Sequence, residues 1–374
     1  MTNKNLNMQV FCPQCGERAV FNPNQYRCAC QGAWEPLEHH DFSSDRIDRA
    51  LTSLWRYQHM FGLTDLAQPL SLGAGWTPLV EADWHGRGVF MKTEYIAPTG
   101  SFKDRGTEVE MNFLSALGIE DVVEDSSGNA GASMAAYAAR LGLRAAIYAP
   151  QGASPAKLAQ IQVFGAQLHK IPGARIEATK AVLRAVENGA VYASHAYNPV
   201  YLLGQQSFAW EIWEQFEQST PDAIVIPVGQ AGLLLGAWLG FRRLLLSGRI
   251  AELPRLFAVQ PERLAPIPAA FAAGLDDVPP AQPSEKSVAE GLAIVRPVRA
   301  GRILQALRES DGQGLTVSES EISSAYYDLA RRGFFVEPSS AVAAAALPQV
   351  FASTGESARV VVALTGNGLK SALS

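Results

Sequence analysis

Along the chain, short apolar runs alternate with longer stretches whose hydrophobic positions recur at helical spacing. The runs Gly88–Lys92, Asp121–Glu124, Arg144–Tyr148, Gln167–Ile171, Ala223–Pro227, Leu256–Val259 and Arg359–Leu364 read as strands. Between them, helical patterns cover Lys103–Leu117, Ala130–Leu141, Pro155–Phe164, Arg175–Asn188, Gln205–Gln218, Leu233–Leu246, Glu319–Arg332 and Ser340–Phe351. Strands that are apolar without alternation are covered on both faces, and strand–helix–strand repetition builds parallel sheets. The pattern therefore predicts an α/β fold of three-layer αβα domains. Ligands in such folds bind beyond the carboxyl ends of the strands, so the strand-to-helix joints are where chemistry is to be sought.

The 374 residues suit two such domains. With 48% hydrophobic and 18% charged residues the chain is globular, and its net charge of −5 argues against a nucleic-acid partner, which calls for a basic face. The most apolar run, Ala231–Phe241, is stopped by Arg242-Arg243, well short of the ~20 residues of a membrane span. No apolar signal core follows Met1, so a cytoplasmic location is expected, and no regulatory domain is expected after Lys370. Pro/Ala-rich Leu264–Pro283 reads as a surface excursion.

Four joints carry candidate chemistry. Val228-Gly229-Gln230-Ala231-Gly232 follows a buried strand and opens a helix, where backbone N–H groups and the helix dipole favour an anion; it could equally be a tight turn. Ser126-Ser127-Gly128-Asn129-Ala130 offers hydroxyls, an amide and backbone donors, or simply a helix cap. Ser101 reads as an N-cap, which puts Lys103 in a first helical turn, where an ammonium is disfavoured unless the amine is neutral or bonded to a carbonyl. The plain alternative is a surface lysine flanked by an Asp104–Arg105 charge pair. Thr365 ends a buried strand ahead of Gly366 and Gly368, as a hydroxyl for a ring nitrogen or the start of a turn. Together these supply a partner for each part of pyridoxal phosphate: aldehyde, ring oxygen, phosphate and pyridine nitrogen.

The strings Pro98-Thr99-Gly100-Ser101-Phe102-Lys103-Asp104-Arg105-Gly106, Ser126-Ser127-Gly128-Asn129-Ala130-Gly131, Pro227-Val228-Gly229-Gln230-Ala231-Gly232, Ala289-Glu290-Gly291, Glu337-Pro338-Ser339-Ser340-Ala341 and Leu364-Thr365-Gly366-Asn367-Gly368-Leu369-Lys370 occur in this order. In them the chain resembles the threonine synthase branch of the fold-type II (tryptophan synthase β-like) pyridoxal-phosphate enzymes. The resemblance implies that Lys103 forms the Schiff base with pyridoxal 5'-phosphate, that Asn129 meets the ring oxygen, and that Val228, Gly229, Gln230, Ala231 and Gly232 hold the phosphate. It implies further that Thr365 faces the ring nitrogen, while Ser126, Ser127, Gly128 and Ala130 take the carboxylate of a small amino-acid substrate. Expected domains are a Cys-rich extension over 1–42, a large cofactor-binding domain over 43–89 and 207–374, and a small domain over 90–206. The resemblance also implies a homodimer.

One position departs from the pattern. Where threonine synthases read Asn-Ser-x-Asn-x-x-Arg before Gly-Gln, this chain reads His195-Ala196-Tyr197-Asn198-Pro199-Val200-Tyr201, then Gly204-Gln205. Tyr201 replaces the guanidinium that a phosphate dianion calls for, and His195 could compensate only if protonated. The expected function is thus a threonine synthase-like lyase that removes an α-proton and carries out β-elimination or β-replacement. A true threonine synthase with an altered phosphate site and a non-catalytic binding protein are the alternatives.

All four cysteines lie early, as Cys12-x-x-Cys15 and Cys28-x-Cys30, too few and too clustered for a disulfide framework. They match one tetrahedral structural zinc in a ribbon-like extension, or four free thiols. Glu35, Glu38 and Asp41 beside them weigh against a nucleic-acid-binding ribbon.

Overall fold

A computed structural model describes residues 6–37, 42–63, 66–153, 155–282 and 284–371. Glu38 and Asp41, counted among the acids beside the ribbon, lie outside the described residues, and Glu35 is buried within it. The chain divides into two compact units, one of residues 1–76, 97–204 and 372–374 and one of residues 77–96 and 205–371. Residues 1–42 and 43–76 thus group with the segment expected to form the small domain.

In the first unit a four-stranded parallel sheet has the order Gln167–Ile171, Arg144–Pro150, Asp121–Glu124, Val191–Tyr192. The helices Asn129–Leu141 and Arg175–Glu187 pack against its strands. A separate three-stranded antiparallel ribbon joins Gln9–Phe11, Arg18–Val20 and Glu35–Pro36. The second unit holds a six-stranded sheet in the order Gln313–Val317, Arg255–Pro261, Ala223–Pro227, Val360–Ala363, Arg87–Lys92, Leu79–Trp84. Only its last pair is antiparallel. The two central strands, Ala-Ile-Val-Ile-Pro and Val-Val-Val-Ala, are buried at every residue, as apolar runs covered on both faces should be.

The differences from the sequence pattern have local causes. Leu79–Trp84 carries Glu81 and Asp83 and turns back through His85 and Gly86, both at positive φ, as a tight hairpin requires. Its polar positions suit a sheet edge and hide it from a search for apolar runs. The same holds for the other edge strand, Gln313–Val317. The helix expected from Gln205 begins at Pro199, a residue suited to a first turn, with Asn198 Oδ1 accepting the Val200 N–H at 2.9 Å. Gly204, inside this helix, is a point of close approach, since a Cβ there would lie 2.0 Å from the Arg105 carbonyl oxygen. Leu264–Pro283 is not wholly a surface excursion, because Pro266–Ala272 forms a helix with Pro266, Ile267, Pro268 and Ala270 buried. The helix expected over Ser340–Phe351 is two, Pro338–Ala345 and Leu347–Ser353, with Pro348 in the first turn of the second.

The core of the second unit also buries an ion pair. Lys92 Nζ lies 3.0 Å from Glu211 Oε2 and donates to Gln215 Oε1 (2.9 Å) and the Thr77 carbonyl (2.6 Å). This ties the strand Arg87–Lys92 to the helix Pro199–Gln215.

Candidate active site

Lys103 is the first residue of the helix Lys103–Ala116. Phe102 occupies the N-cap position and Ser101 Oγ makes no capping bond, so the expected serine cap is not formed. Backbone bonds replace it, from Asp104 N to the Ser101 carbonyl and from Arg105 N to that of Phe102. Nor is there a surface charge pair: Asp104 and Arg105 are both buried. Asp104 accepts bonds from the Thr99 N–H (2.7 Å), Thr99 Oγ1 (2.5 Å) and Ser133 Oγ (2.6 Å). These fix the loop before the lysine and clamp its helix to Asn129–Leu141. The Lys103 amine lies 4.7 Å from the centre of the Phe102 ring. Burial pushes it down to about 8, with Arg175 adding to the fall and Glu124 opposing it. The residue as a whole keeps partial exposure, and its amine is partly neutral near neutral pH.

In the same unit, the loop after Asp121–Glu124 leaves Ser127, Gly128 and Asn129 partly exposed while Ser126 and Ala130 are buried. It folds so tightly onto the helix Asn129–Leu141 that a Cβ at Gly131 would sit 2.0 Å from the Ser126 carbonyl oxygen. Asp125, inside the bend, accepts from Tyr192 Oη (2.7 Å) and Thr179 Oγ1 (2.6 Å). Tyr201 is fully buried, its ring pressed on Gly106, where a Cβ would come within 2.4 Å of ring carbons. The His195 ring lies 6.2 Å from that of Tyr201, and its Nδ1 is 2.8 Å from Glu124 Oε1. Glu110 is pushed up to about 8 by burial, against a hydrogen bond from Asn198. The structure thus gathers Lys103, the Ser126–Ala130 loop, His195 and Tyr201 in one unit and adds Glu110 and Glu124, which the sequence did not single out.

The second unit carries the glycine loop and Thr365. Val228, just past its strand, donates its N–H to the Val259 carbonyl, and the helix Gly232–Leu246 begins four residues on. Ala231 takes a left-handed conformation, φ 59°, unusual for a residue with a Cβ and of the kind found at binding loops. Gly229 approaches the Gly291 carbonyl, which a Cβ would meet at 3.3 Å, so the Ala289-Glu290-Gly291 string lies beside this loop. Gln230 Oε1 accepts the Val298 N–H at 2.9 Å, which leaves its backbone as the part free to face a ligand. Thr365 Oγ1 is 3.0 Å from Ser340 Oγ, and Ser340 also accepts the Gly366 N–H at 2.7 Å. Ser340 is a site neighbour that only its place in the matched string could have flagged.

In the ribbon, Cys12 and Cys30 Sγ are 3.4 Å apart and Cys15 and Cys28 Sγ 3.6 Å, with all four within 4.8 Å of one another. Four sulfurs at ~2.3 Å from one zinc lie about 3.8 Å apart, so the set has the shape of a tetrahedral site. Gly16, at φ 77°, turns the first loop, and a Cβ at Gly32 would press on Cys12 Sγ at 2.6 Å.

A lysine amine lowered towards neutrality, and a helix-start loop built to receive an anion, each on an open α/β sheet, mark an enzyme class that works through a phosphorylated carbonyl cofactor. The comparisons with known proteins agree. The family model described as "Pyridoxal-phosphate dependent enzyme" matches residues 70–366. The chain belongs to this family, on its threonine synthase-like, fold-type II branch. It is 33% identical to the threonine synthase of Methanocaldococcus jannaschii, covering 96% of this chain and 92% of that one. It is also 33% identical to the threonine synthase of Methanosarcina acetivorans, covering 96% and 91%. Among solved structures, a threonine deaminase from T.th. superposes with TM-score 0.68 at 25% identity, covering 78% of this chain and 92% of that one. Maize serine racemase, at 24% identity and TM-score 0.69 over 78% and 88%, shares the fold. No helix among the described residues is long and apolar enough to cross a membrane.

Proposed function

We propose that this enzyme is a lyase of small amino acids, working by α-proton abstraction followed by β-elimination or β-replacement. The observation that carries this reading is Tyr201. Where the threonine synthase pattern has an arginine, a fully buried ring fills the space against Gly106. A phosphate dianion on the substrate would thus lack a bidentate guanidinium there.

The residues present fit pyridoxal phosphate, because the Lys103 amine is lowered to about 8 and the Gly229–Gly232 backbone opens a long helix. When bound, that cofactor supplies the electron sink for breaking the bonds of the substrate's α-carbon. Lys103 holds it covalently and then takes the α-proton on Nζ. Asn129 donates to the ring oxygen, and residues 228–232 cradle the phosphate. Thr365, steadied by Ser340, meets the ring nitrogen with a neutral hydroxyl. The backbone of Ser126–Ala130 takes the substrate carboxylate, and His195 and Tyr201 border its side chain. Cys12, Cys15, Cys28 and Cys30 bind one structural zinc, and the enzyme works as a cytoplasmic homodimer.

The second reading, a threonine synthase that converts O-phosphohomoserine to threonine and phosphate, is favoured by the 33% identity to threonine synthases over nearly the whole chain. A non-catalytic binder is disfavoured by the lowered Lys103 amine. The deciding experiment offers the holoprotein serine, threonine, O-acetylserine and O-phosphohomoserine, and follows keto acid, ammonia, phosphate and threonine. Keto acid or replacement product from the small amino acids is expected. Efficient threonine and phosphate release from O-phosphohomoserine would hand the assignment to the second reading.

A further inference from the structure

The strand Asp121–Glu124 ends on a carboxyl group that none of these roles uses. Glu124 is 1% exposed; Oε1 meets His195 Nδ1 at 2.8 Å, and Oε2 is buried with no hydrogen-bond partner among the described residues. The two residues stand 71 positions apart in sequence. They meet because Val191–Tyr192 runs parallel beside Asp121–Glu124, in register Val122↔Val191 and Val123↔Tyr192, and because Ala193 N donates to the Val123 carbonyl. The pair therefore sits at the carboxyl end of two neighbouring parallel strands, the end from which the Ser126–Ala130 loop departs and where such sheets present ligands. The His195 side chain keeps about 10% of its surface exposed, so the ring is reachable while its anchor is not.

The groups facing the pair come from several elements. Lys103 and Glu110 stand on one helix, Arg175 on the helix Arg175–Glu187, and Tyr201 on Pro199–Gln215. Asp125 is already engaged by Tyr192 and Thr179. Burial first, then Asp125 and Glu110, push the Glu124 carboxyl well up, against Arg175 and a bond donated by the His195 backbone N–H. Such a carboxyl shares a proton with the imidazole it touches. Whether that proton rests on Glu124 or on Nδ1, the pair is neutral overall and Nε2 carries a second proton it can give away. After giving it, the imidazole keeps the shared proton on Nδ1, held by the Glu124 carboxylate.

Resting on the elimination reading above, we propose that His195 donates the proton to the departing β-oxygen of a hydroxy amino acid, with Glu124 as its positioning residue. In this step the Cα–H pair becomes the Cα–Cβ double bond, and the α-proton goes to Lys103 Nζ. The Cβ–O bond breaks with its electrons on oxygen, and the Nε2 proton turns the leaving hydroxide into water. The remaining 2-aminoacrylate takes up water to give keto acid and ammonia, and the pair regains its proton from solvent. A halide leaves as a stable anion and needs no such proton, which gives the proposal a signature.

The test compares L-serine with β-chloro-L-alanine in cofactor-loaded wild type, His195→Gln and Glu124→Gln, with loading read from the absorbance of the lysine-bound cofactor. Losing a general acid typically costs ~10²-fold or more. His195→Gln should lower kcat for serine by about that factor with KM nearly unchanged, while β-chloroalanine turnover stays within roughly threefold. In Glu124→Gln the amide cannot supply the shared proton, so the loss of serine kcat with rising pH should begin lower, towards the ~6.5 of a free imidazole. Side-chain 15N NMR of cofactor-free protein, with the His195 signal assigned through His195→Gln, should show the same downward move. Equal losses for both substrates in His195→Gln, or an unmoved His195 titration in Glu124→Gln, would overturn the proposal and leave the elimination reading standing. A loaded wild type that releases no keto acid from either substrate would overturn the elimination reading, and the proposal with it.

Discussion

A lysine whose amine titrates near 8 differs from an ordinary one by a margin that chemical labelling can read. Lys103 is held at about 8 against an ordinary 10.5, chiefly because its helix and the surrounding loop strip water from the ammonium. At pH 7 about one tenth of such amines are neutral, against roughly 0.03% of amines at 10.5, a ratio of ~300. Only the neutral amine attacks an acylating reagent or an aldehyde, so reactivity rises with pH and levels off above the midpoint. The assay strips the cofactor with hydroxylamine, acetylates the protein with trace anhydride from pH 6 to 10, and counts the Lys103 peptide by mass spectrometry against a free alkylamine standard. The expected midpoint is near 8. Arg175→Gln removes a cation that lowers the amine, so it should move the midpoint upward. A wild-type midpoint at 10 or above would refute the reasoning, since burial would then have left the amine no readier for a carbonyl than any surface lysine.

Metal analysis of protein grown with zinc should give about one zinc per chain, and substituting Cys12 and Cys15 together by serine should abolish it; full occupancy in that variant would move the metal elsewhere. Chelation should leave turnover intact, because none of the proposed catalytic roles needs the metal. Lys92→Met removes the cation from beside buried Glu211 and should cost ~3–5 kcal/mol in urea unfolding, most of it regained in Lys92→Met/Glu211→Leu. Equal midpoints for wild type and the single variant would show that the buried pair contributes nothing.

What the sequence made legible was local. Apolar strands buried on both faces declare themselves, as Ala223–Pro227 and Val360–Ala363 do, and the joints after them are short enough to read as strings. The periodic stretch expected over Glu319–Arg332 likewise folds as the helix Glu319–Arg331, its start closed by a capping box of Ser318 and Glu321. Elements whose reason lies elsewhere in the fold were not legible. Edge strands carry polar residues because one side faces solvent. The turn of helix from Pro199 to Gly204, ahead of the expected start at Gln205, was missed, and the Arg105 carbonyl against Gly204 shows what that turn packs on. Val191–Tyr192 is too short to show any periodicity, yet its pairing is what brings His195 to Glu124. The surface reading of Asp104 and Arg105 failed for the same reason: the partners of Asp104, Thr99 and Ser133, come from a loop and a second helix.

Under the proposed function, the groups gathered beside Tyr201 in the first unit share one way of handling charge. A guanidinium that meets a phosphate brings a fixed positive charge, tolerable because the ligand returns two negative ones. This chain has a buried phenol at that position, and nearby it places Glu110, pushed up to about 8, and Glu124, which burial also pushes well up. Two ionised carboxylates there would repel a dianion, and two neutral ones would not attract it. Neither state repairs the loss of the arginine, so Tyr201 and the two acids argue in the same direction. Carboxyls that stay protonated near neutral pH can pass protons without leaving a lasting buried charge. A leaving hydroxide asks for that service and a leaving phosphate does not, which ties the choice of substrate to the same residues that would carry the proton.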